Sequence, residues 1–388
     1  MKKLLIVTTV SSTLQAFILP FARHFRGKGW QVDAMASGAP TCLECVGSFD
    51  RAWDAKWSRN PAAPSNLSGI LQVKKEIRTL IEREDYDLVH VHTPVASFVT
   101  RYALRKLRSK GGPKVIYTAH GFHFYPGGPL LKNSLFISLE KLAGRWTDYL
   151  IVINREDEEA ARKNRIVPAE RLYYMPGIGV DTDYFNPKKV SAADVEQVRK
   201  ELGLRKDQPL FLMIAEFIPR KRHQDLLLAF SRLNNPDAHL ALAGTGELVD
   251  DMKALAQRLD VAGRVHFLGS RRDIPALIRA SAATLLTSQQ EGLPRSVMES
   301  LSLEVPVIGS NIRGTRELLS DGCGLLVQLG DIDGYAEAMA QVLKSPQEAR
   351  AMAKRGRAKM IGKFDIKLII KAHEELYAKA MGVENALT

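Results

Sequence analysis

The sequence predicts an α/β protein of two doubly wound, Rossmann-like domains facing an interdomain cleft. Three observations point there. Short apolar runs alternate with amphipathic helical stretches from the N-terminus onward. The alternation breaks at Met175-Pro-Gly-Ile-Gly-Val-Asp181 and then restarts. At 388 residues, the chain exceeds what one ordinary core serves.

The first run, Lys3–Thr9, reads as a buried strand. Thr8, Thr9, Ser11 and Ser12 interrupt it and no small-residue cleavage pattern follows, so it does not read as a signal peptide. Further strands are expected at Gln31–Ala36, Leu88–His92, Lys114–Thr118 and Tyr149–Ile153. Helices are expected near Phe17–Gly27, Gly69–Glu84, Ser97–Arg108, Leu130–Gly144 and Glu156–Asn164. The second half repeats the pattern with strands at Leu210–Ala215, Ala238–Ala243, Arg264–Leu268, Ala283–Leu286 and Pro306–Gly309. The expected boundaries are 1–175, 176–364 and a final helical segment, 365–388. Ile366, Ile369, Ile370, His373, Leu376 and Tyr377 form one stripe of that last helix, which is expected to pack back on the first domain.

No apolar run approaches the roughly 20 residues of a membrane span. Three cysteines argue against a disulfide framework and for a reducing, cytoplasmic setting. Cys42 and Cys45 form a single CxxC with no second pair to complete a zinc site. The net charge of +12 is uneven. Residues 1–177 hold 26 Lys and Arg against 16 Asp and Glu, and the remainder 29 against 27. The first half therefore favours an anionic partner: nucleic acid, a phosphorylated substrate or an acidic membrane surface. No nucleic-acid motif or aromatic interleaving supports the first of these.

In open α/β sheets, ligands bind beyond the carboxyl ends of the strands. The segment Glu291-Gly-Leu-Pro-Arg-Ser-Val-Met-Glu299 lies at such an end. Pro294 suits the first position of a helix, and the amides of Gly292 and Leu293 with the helix dipole favour an anion. Carboxylates on either side can grip hydroxyls, which suits a nucleotide sugar; a capped surface helix with incidental glutamates fits the same spacing. Arg220 and Lys221, in a loop at another strand end, can neutralise a diphosphate, or simply form a basic turn heading a helix. His120, followed by Gly121, can donate to a sugar hydroxyl or a phosphate oxygen, or be structural; His123 is a weaker candidate and His90 is expected to face inward. Gly244-Thr245-Gly246 approaches a dinucleotide fingerprint, but Val249 stands where the third glycine belongs.

Together these pieces resemble the family-4 retaining glycosyltransferases, which have the GT-B fold. The likeness covers nearly the whole chain. It is carried by EGLPRSVMESLSLEVPVIGS around Glu291 and Glu299, the loop ending in Arg220-Lys221, TAHGFHF around His120, and PGIGVD at the join. HVHTP at 90–94 and RELLSDGCGLLV at 316–327 add to it. TAHGFHF and EGLPR resemble the branch that extends surface polysaccharides, including exopolysaccharide and lipopolysaccharide, on polyprenyl-diphosphate carriers.

The resemblance implies an acceptor-binding first domain and a donor-binding second domain. Arg220 and Lys221 would hold the donor diphosphate, Glu299 the ribose, and Glu291 the transferred sugar. Amides of Gly292, Leu293 and Arg295, beside Pro294, would line the phosphate and sugar site. His120 would assist transfer, and Gly269-Ser-Arg-Arg-Asp273, with Gly269 and Arg272, would lie near the base. The donor would be a UDP-sugar and the acceptor a lipid-linked saccharide, with no cofactor and no metal. Two departures stand out: Ala215-Glu216 occupies the place of the Gly-Arg of many relatives, and Thr8–Thr13 lacks the paired glycines often found there.

A lipid-linked acceptor accounts for the basic first half through peripheral contact with the inner face of the cytoplasmic membrane. Arg101, Arg105, Lys106, Arg108 and Lys110 form one candidate face. Leu131, Leu135, Leu139, Leu142 and Trp146 form a stripe suited either to lipid headgroups or to core packing. Rival functions are a hydrolase using Glu291 and Glu299 as acid and base, a UDP-sugar epimerase of the same architecture, and a noncatalytic sugar-nucleotide binder.

Overall fold

The computed structural model describes residues 1–57, 64–108 and 110–383. The chain divides into two compact units: Met1–Ile178 with the chain from Leu368 on, and Gly179–Lys367. Each is built on a wholly parallel sheet.

In the first unit the strands are β1 (Lys3–Val10), β2 (Gln31–Ser37), β3 (Arg51–Trp53), β4 (Leu88–His92), β5 (Lys114–Ala119), β6 (Tyr149–Val152) and β7 (Leu172–Tyr174). Their spatial order is β3-β2-β1-β4-β5-β6-β7. In the second they are β8 (Leu210–Ile214), β9 (His239–Ala243), β10 (Val265–Gly269), β11 (Ala283–Leu286), β12 (Val307–Ser310) and β13 (Leu325–Val327), ordered β10-β9-β8-β11-β12-β13. Strand order reverses once in each sheet, beside β1 and beside β8. These are the topological switch points at which doubly wound folds bind ligands.

The central strands read as largely apolar runs because helices cover both their faces. Leu4, Leu5 and Val7 of β1 and Leu210, Phe211, Leu212 and Met213 of β8 are fully buried. Each such side chain contributes roughly 1.5–3 kcal/mol of burial.

The last helix, Ile366–Ala380, buries Ile369, His373, Leu376, Tyr377 and Ala380 against the first unit. Tyr377 donates or accepts a hydrogen bond with His90 at 2.5 Å, and Glu374 meets His24 at 2.8 Å. The predicted stripe does pack back on the first unit; residues 384–388 of the segment lie outside the described residues.

Three expectations need correction. Arg101 is not on a basic face: it is 1% exposed, pairs with Glu140 at 3.2 Å and lies over the Tyr117 ring. Its helix, Pro94–Arg108, turns that guanidinium inward, while Arg108 pairs with Asp148 and Lys106 and Lys110 stay exposed. The leucine stripe on helix Leu130–Gly144 divides. Leu130, Leu131 and Leu135 are 83%, 89% and 58% exposed, whereas Trp146 packs on Phe98 and Tyr102. Finally, Cys42 and Cys45 are joined in a disulfide, their Cα atoms 5.2 Å apart. That bond closes a single turn at the start of helix Leu43–Ser48, so it is a local link and no framework. Among the described residues no helix is long and apolar enough to cross a membrane.

Candidate active site

In the second unit the loops leaving β8 and β11 meet at the switch point. After β8 the chain makes a short turn, Pro219–Lys221, and Arg222 adopts a left-handed φ of 53° before helix His223–Arg232. Buried Thr287, just past β11, donates to the carbonyls of Lys221 and Arg222 at 2.9 and 3.0 Å. The Gln289 amide donates to the Arg220 carbonyl at 2.9 Å. These bonds aim the two cations. Lys221 Nζ reaches Glu291 Oε1 at 2.5 Å, and Arg220 Nη1 donates to the Gln290 carbonyl at 2.5 Å while approaching Glu291 Oε1 at 3.4 Å. The predicted cations and the predicted carboxylate are thus one cluster.

The chain then turns through Gly292 and Leu293 into helix Arg295–Ser302. Pro294 is the residue before the first helical turn, with φ −73° and ψ 121°, and not within it as expected. A proline there still costs nothing, because the first-turn amides have no partner inside the helix. Helix Arg313–Leu319 braces the turn so closely that a Cβ on Gly314 would collide with the Gly292 carbonyl.

Glu299 lies in this helix, 7% exposed, with Arg295 donating to its Oε1 at 2.9 and 3.2 Å. Burial raises the Glu299 carboxyl above its ordinary value, against the opposing pull of Arg295. Both of these bonds reach Oε1. A carboxylate held this way, in the helix whose N-terminus follows the Glu291 turn, can bind a diol next to an anion.

The Gly244–Gly246 loop serves packing. A Cβ on Gly244 would strike the Ala215 carbonyl, and one on Gly246 the backbone of Phe217. The Gly244 amide donates to Gly269 O at 2.8 Å, and the Phe217 amide to Thr245 O at 2.8 Å. Glu216 is exposed. Arg272 is exposed and lines a separate hollow of about 670 Å³ with Asp181, Asp183, Tyr184 and Asp273; none of Arg220, Lys221, Glu291 and Glu299 lines it.

In the first unit the switch point opens into a cavity of about 510 Å³ walled by Thr9, Thr93, His120, His123 and Phe136, among others. Thr93 holds a φ of 64°, costly for a β-branched residue, and is fixed by hydrogen bonds from the Thr9 amide at 3.0 Å and with the Thr9 hydroxyl at 2.7 Å. His120 presents its ring to this cavity, stacked on Phe17. Its Nε2 lies 2.9 Å from Nδ1 of His92. Burial, then His373, pulls the His120 pKa down to about 4, so the ring is neutral at pH 7. Gly121, with a φ of 117°, turns the chain sharply away behind it.

Of the predicted residues, the structure brings together Arg220, Lys221, Glu291, Gly292, Leu293, Pro294 and Glu299, all in the second unit. His120 stands in the first. The sequence reading missed Thr287 and Gln289, which position the loop carrying the cations; His92 could be read as a strand-end residue, but not as a partner of His120. The polar Thr-Ser-Gln run after an apolar strand was the available signal for the first two. Among the described residues no group of three or more His, Cys, Asp or Glu side chains is placed to hold a metal ion.

Residues 194–359 match the family Glycosyl transferases group 1, and residues 14–184 match Glycosyltransferase Family 4. The Bacillus subtilis (strain 168) protein EpsD, provisionally a glycosyltransferase, is 34% identical over 99% of this chain and 98% of its own length. An Escherichia coli UDP-Gal:alpha-D-GlcNAc-diphosphoundecaprenol alpha-1,3-galactosyltransferase is 31% identical over 82% of each chain. Among solved structures, Anabaena Alr3699/HepE in complex with UDP aligns with a TM-score of 0.79 over 98% of this chain and all of that one, at 21% identity. The fold is therefore that of the GT-B glycosyltransferases, and the chain belongs to glycosyltransferase family 4, as a transferase enzyme.

Proposed function

We propose that the enzyme moves a hexosyl or N-acetylhexosaminyl unit from a UDP-sugar to a saccharide carried on a polyprenyl diphosphate, retaining the anomeric configuration. The observation that carries this is the cluster of Lys221, Arg220 and Glu291 beside the N-terminus of the helix holding buried Glu299. Diphosphate charge meets the cations and helix amides, Glu299 accepts from the ribose diol, and Glu291 from hydroxyls of the sugar. Support for the donor and carrier also comes from the Escherichia coli relative, whose name states UDP-Gal and a diphosphoundecaprenol acceptor.

In the reaction, the bond between the anomeric carbon and the UDP oxygen breaks, and its electron pair leaves with the diphosphate. Lys221, Arg220 and the helix amides stabilise that developing charge. The acceptor oxygen bonds to the anomeric carbon from the face that UDP vacates, and its proton passes to the departing phosphate oxygen. Neutral His120 donates a hydrogen bond to an oxygen of the reacting sugar. The first unit binds the acceptor and the second the donor; Gly269 and Arg272 stay proposed as contacts near the base.

Contact with the inner face of the cytoplasmic membrane is part of the proposal. Its support is the helix Leu130–Gly144, where exposed leucines stand beside exposed Lys132, Lys141 and Arg145 at its end. Products would enter surface polysaccharide synthesis. The epimerase reading is not favoured, and in the hydrolase reading the lysine on Glu291 would have no task. Incubation of UDP-sugars with and without lipid-linked acceptors tests the proposal: UDP release should require the acceptor. Donor conversion in its absence would refute it.

A further inference from the structure

We infer that His92 is a positioning residue for His120: it donates from Nδ1 to Nε2 of His120 and fixes the tautomer that offers Nδ1–H to the cavity. Its catalytic meaning rests on the proposed transfer; its geometry does not.

The two nitrogens stand 2.9 Å apart, so one of them carries the shared proton. Two arrangements satisfy that distance. If His120 donates, His92 must keep its own proton on Nε2. That atom is buried with no partner among the described residues, and an orphaned buried N–H is the rarer defect. If His92 donates instead, the unpartnered atom is only a lone pair. The second arrangement leaves His120 neutral, with Nε2 accepting and Nδ1 bearing hydrogen.

The surroundings hold this pair in place. His92 ends β4, and the strained Thr93 that follows is pinned to Thr9 across the switch point. The His90 ring lies 4.2 Å behind that of His92. His90 is itself committed to Tyr377 at 2.5 Å and to Thr118 at 2.7 Å. The titratable neighbours are thus His90 on the same strand, with His373 and Tyr377 on the final helix. His373 donates to the Ile369 carbonyl at 2.8 Å. Burial lowers the pKa of His90, His92, His120 and His373, aided by neighbouring histidines at the first three and opposed at His373 by its bond to the Ile369 carbonyl, so all four rings stay neutral near pH 7.

A neutral N–H offered to a sugar or phosphate oxygen is a donor at every working pH. Without His92, the other His120 tautomer becomes accessible and turns a lone pair toward that oxygen.

Nitrogen-15 correlation spectra of histidine-labelled full-length protein read the tautomer directly. The expected wild-type spectrum shows His120 protonated at Nδ1. In His92→Leu, His120 should shift to a mixture or to Nε2–H, and kcat should fall roughly ten- to a hundredfold with donor KM nearly unchanged. His92→Asn places an amide donor near the position of Nδ1 and should restore both readouts. A wild-type His120 protonated at Nε2, or an unaltered tautomer in His92→Leu, overturns the inference. If His92→Leu does not fold, the wild-type and His92→Asn spectra decide. Absence of transfer with any acceptor would end the proposed function while leaving the tautomer result to stand or fall alone.

Discussion

Lys221 Nζ and Glu291 Oε1 lie 2.5 Å apart, linking the loop after β8 to the turn after β11 at the switch point of the second sheet. Seventy residues separate them in sequence. The ammonium is aimed by its own backbone, whose carbonyl is held by Thr287. If it stabilises the departing diphosphate, Lys221→Ala should lower kcat by about 10²- to 10³-fold. Steady-state kinetics with a UDP-sugar checks this; near-normal turnover would remove its role.

Glu299 should act on nucleotide binding more than on turnover. Its replacement by alanine removes a charged acceptor for the ribose diol and should weaken UDP binding roughly 10- to 100-fold. Arg295, which loses this ion pair, is partly exposed, so the fold should survive. Calorimetric titration with UDP reads the effect, and an unchanged affinity would rule out the ribose contact.

Acid should destabilise the first unit earlier than carboxylate protonation alone would require. His90, His92, His120 and His373 all have folded pKa values below the ordinary 6.5, with His120 and His373 at about 4. The unfolded chain therefore binds protons first as the pH falls. Stability from these groups is full above about 6.5 and is lost toward pH 4, by at most about 1.4 kcal/mol per pH unit for each ring. Urea midpoints measured from pH 7.5 to 5 should fall; a flat series would mean that the rings titrate normally.

Membrane contact predicts a lipid-dependent phenotype confined to one helix. Wild-type protein should sediment with vesicles containing phosphatidylglycerol and less with phosphatidylcholine alone. Leu131→Ser with Leu135→Ser should reduce that binding about tenfold or more, without loss of thermal stability, since both leucines already face solvent. No sedimentation of wild-type protein with anionic vesicles would remove the membrane component.

The central strands were legible because each is a largely apolar run of four to eight residues bounded by turns. β3, β7 and β13 were not. Each has three residues and lies at a sheet edge, too short to carry a period. The acids and bases of the site could be read as strand-end residues, but the pairing of Lys221 with Glu291 depends on strand order and not on spacing. His92 could be read as a strand-end residue, but its pairing with His120 could not, because the neighbouring strand supplies that partner. Arg101 was misplaced for a related reason. A basic amphipathic helix shows its charges in sequence, whereas the Tyr117 ring and Glu140 that draw one guanidinium inward come from elsewhere in the chain.

The most direct test of the central claim is the stereochemical outcome of transfer. Purified enzyme, a panel of UDP-sugars and polyprenyl-diphosphate saccharides should give one molecule of UDP for each glycoside formed. Proton NMR of the product should show the donor's own anomeric configuration. An inverted anomer, or consumption of donor with no sugar joined to the acceptor, would contradict the account.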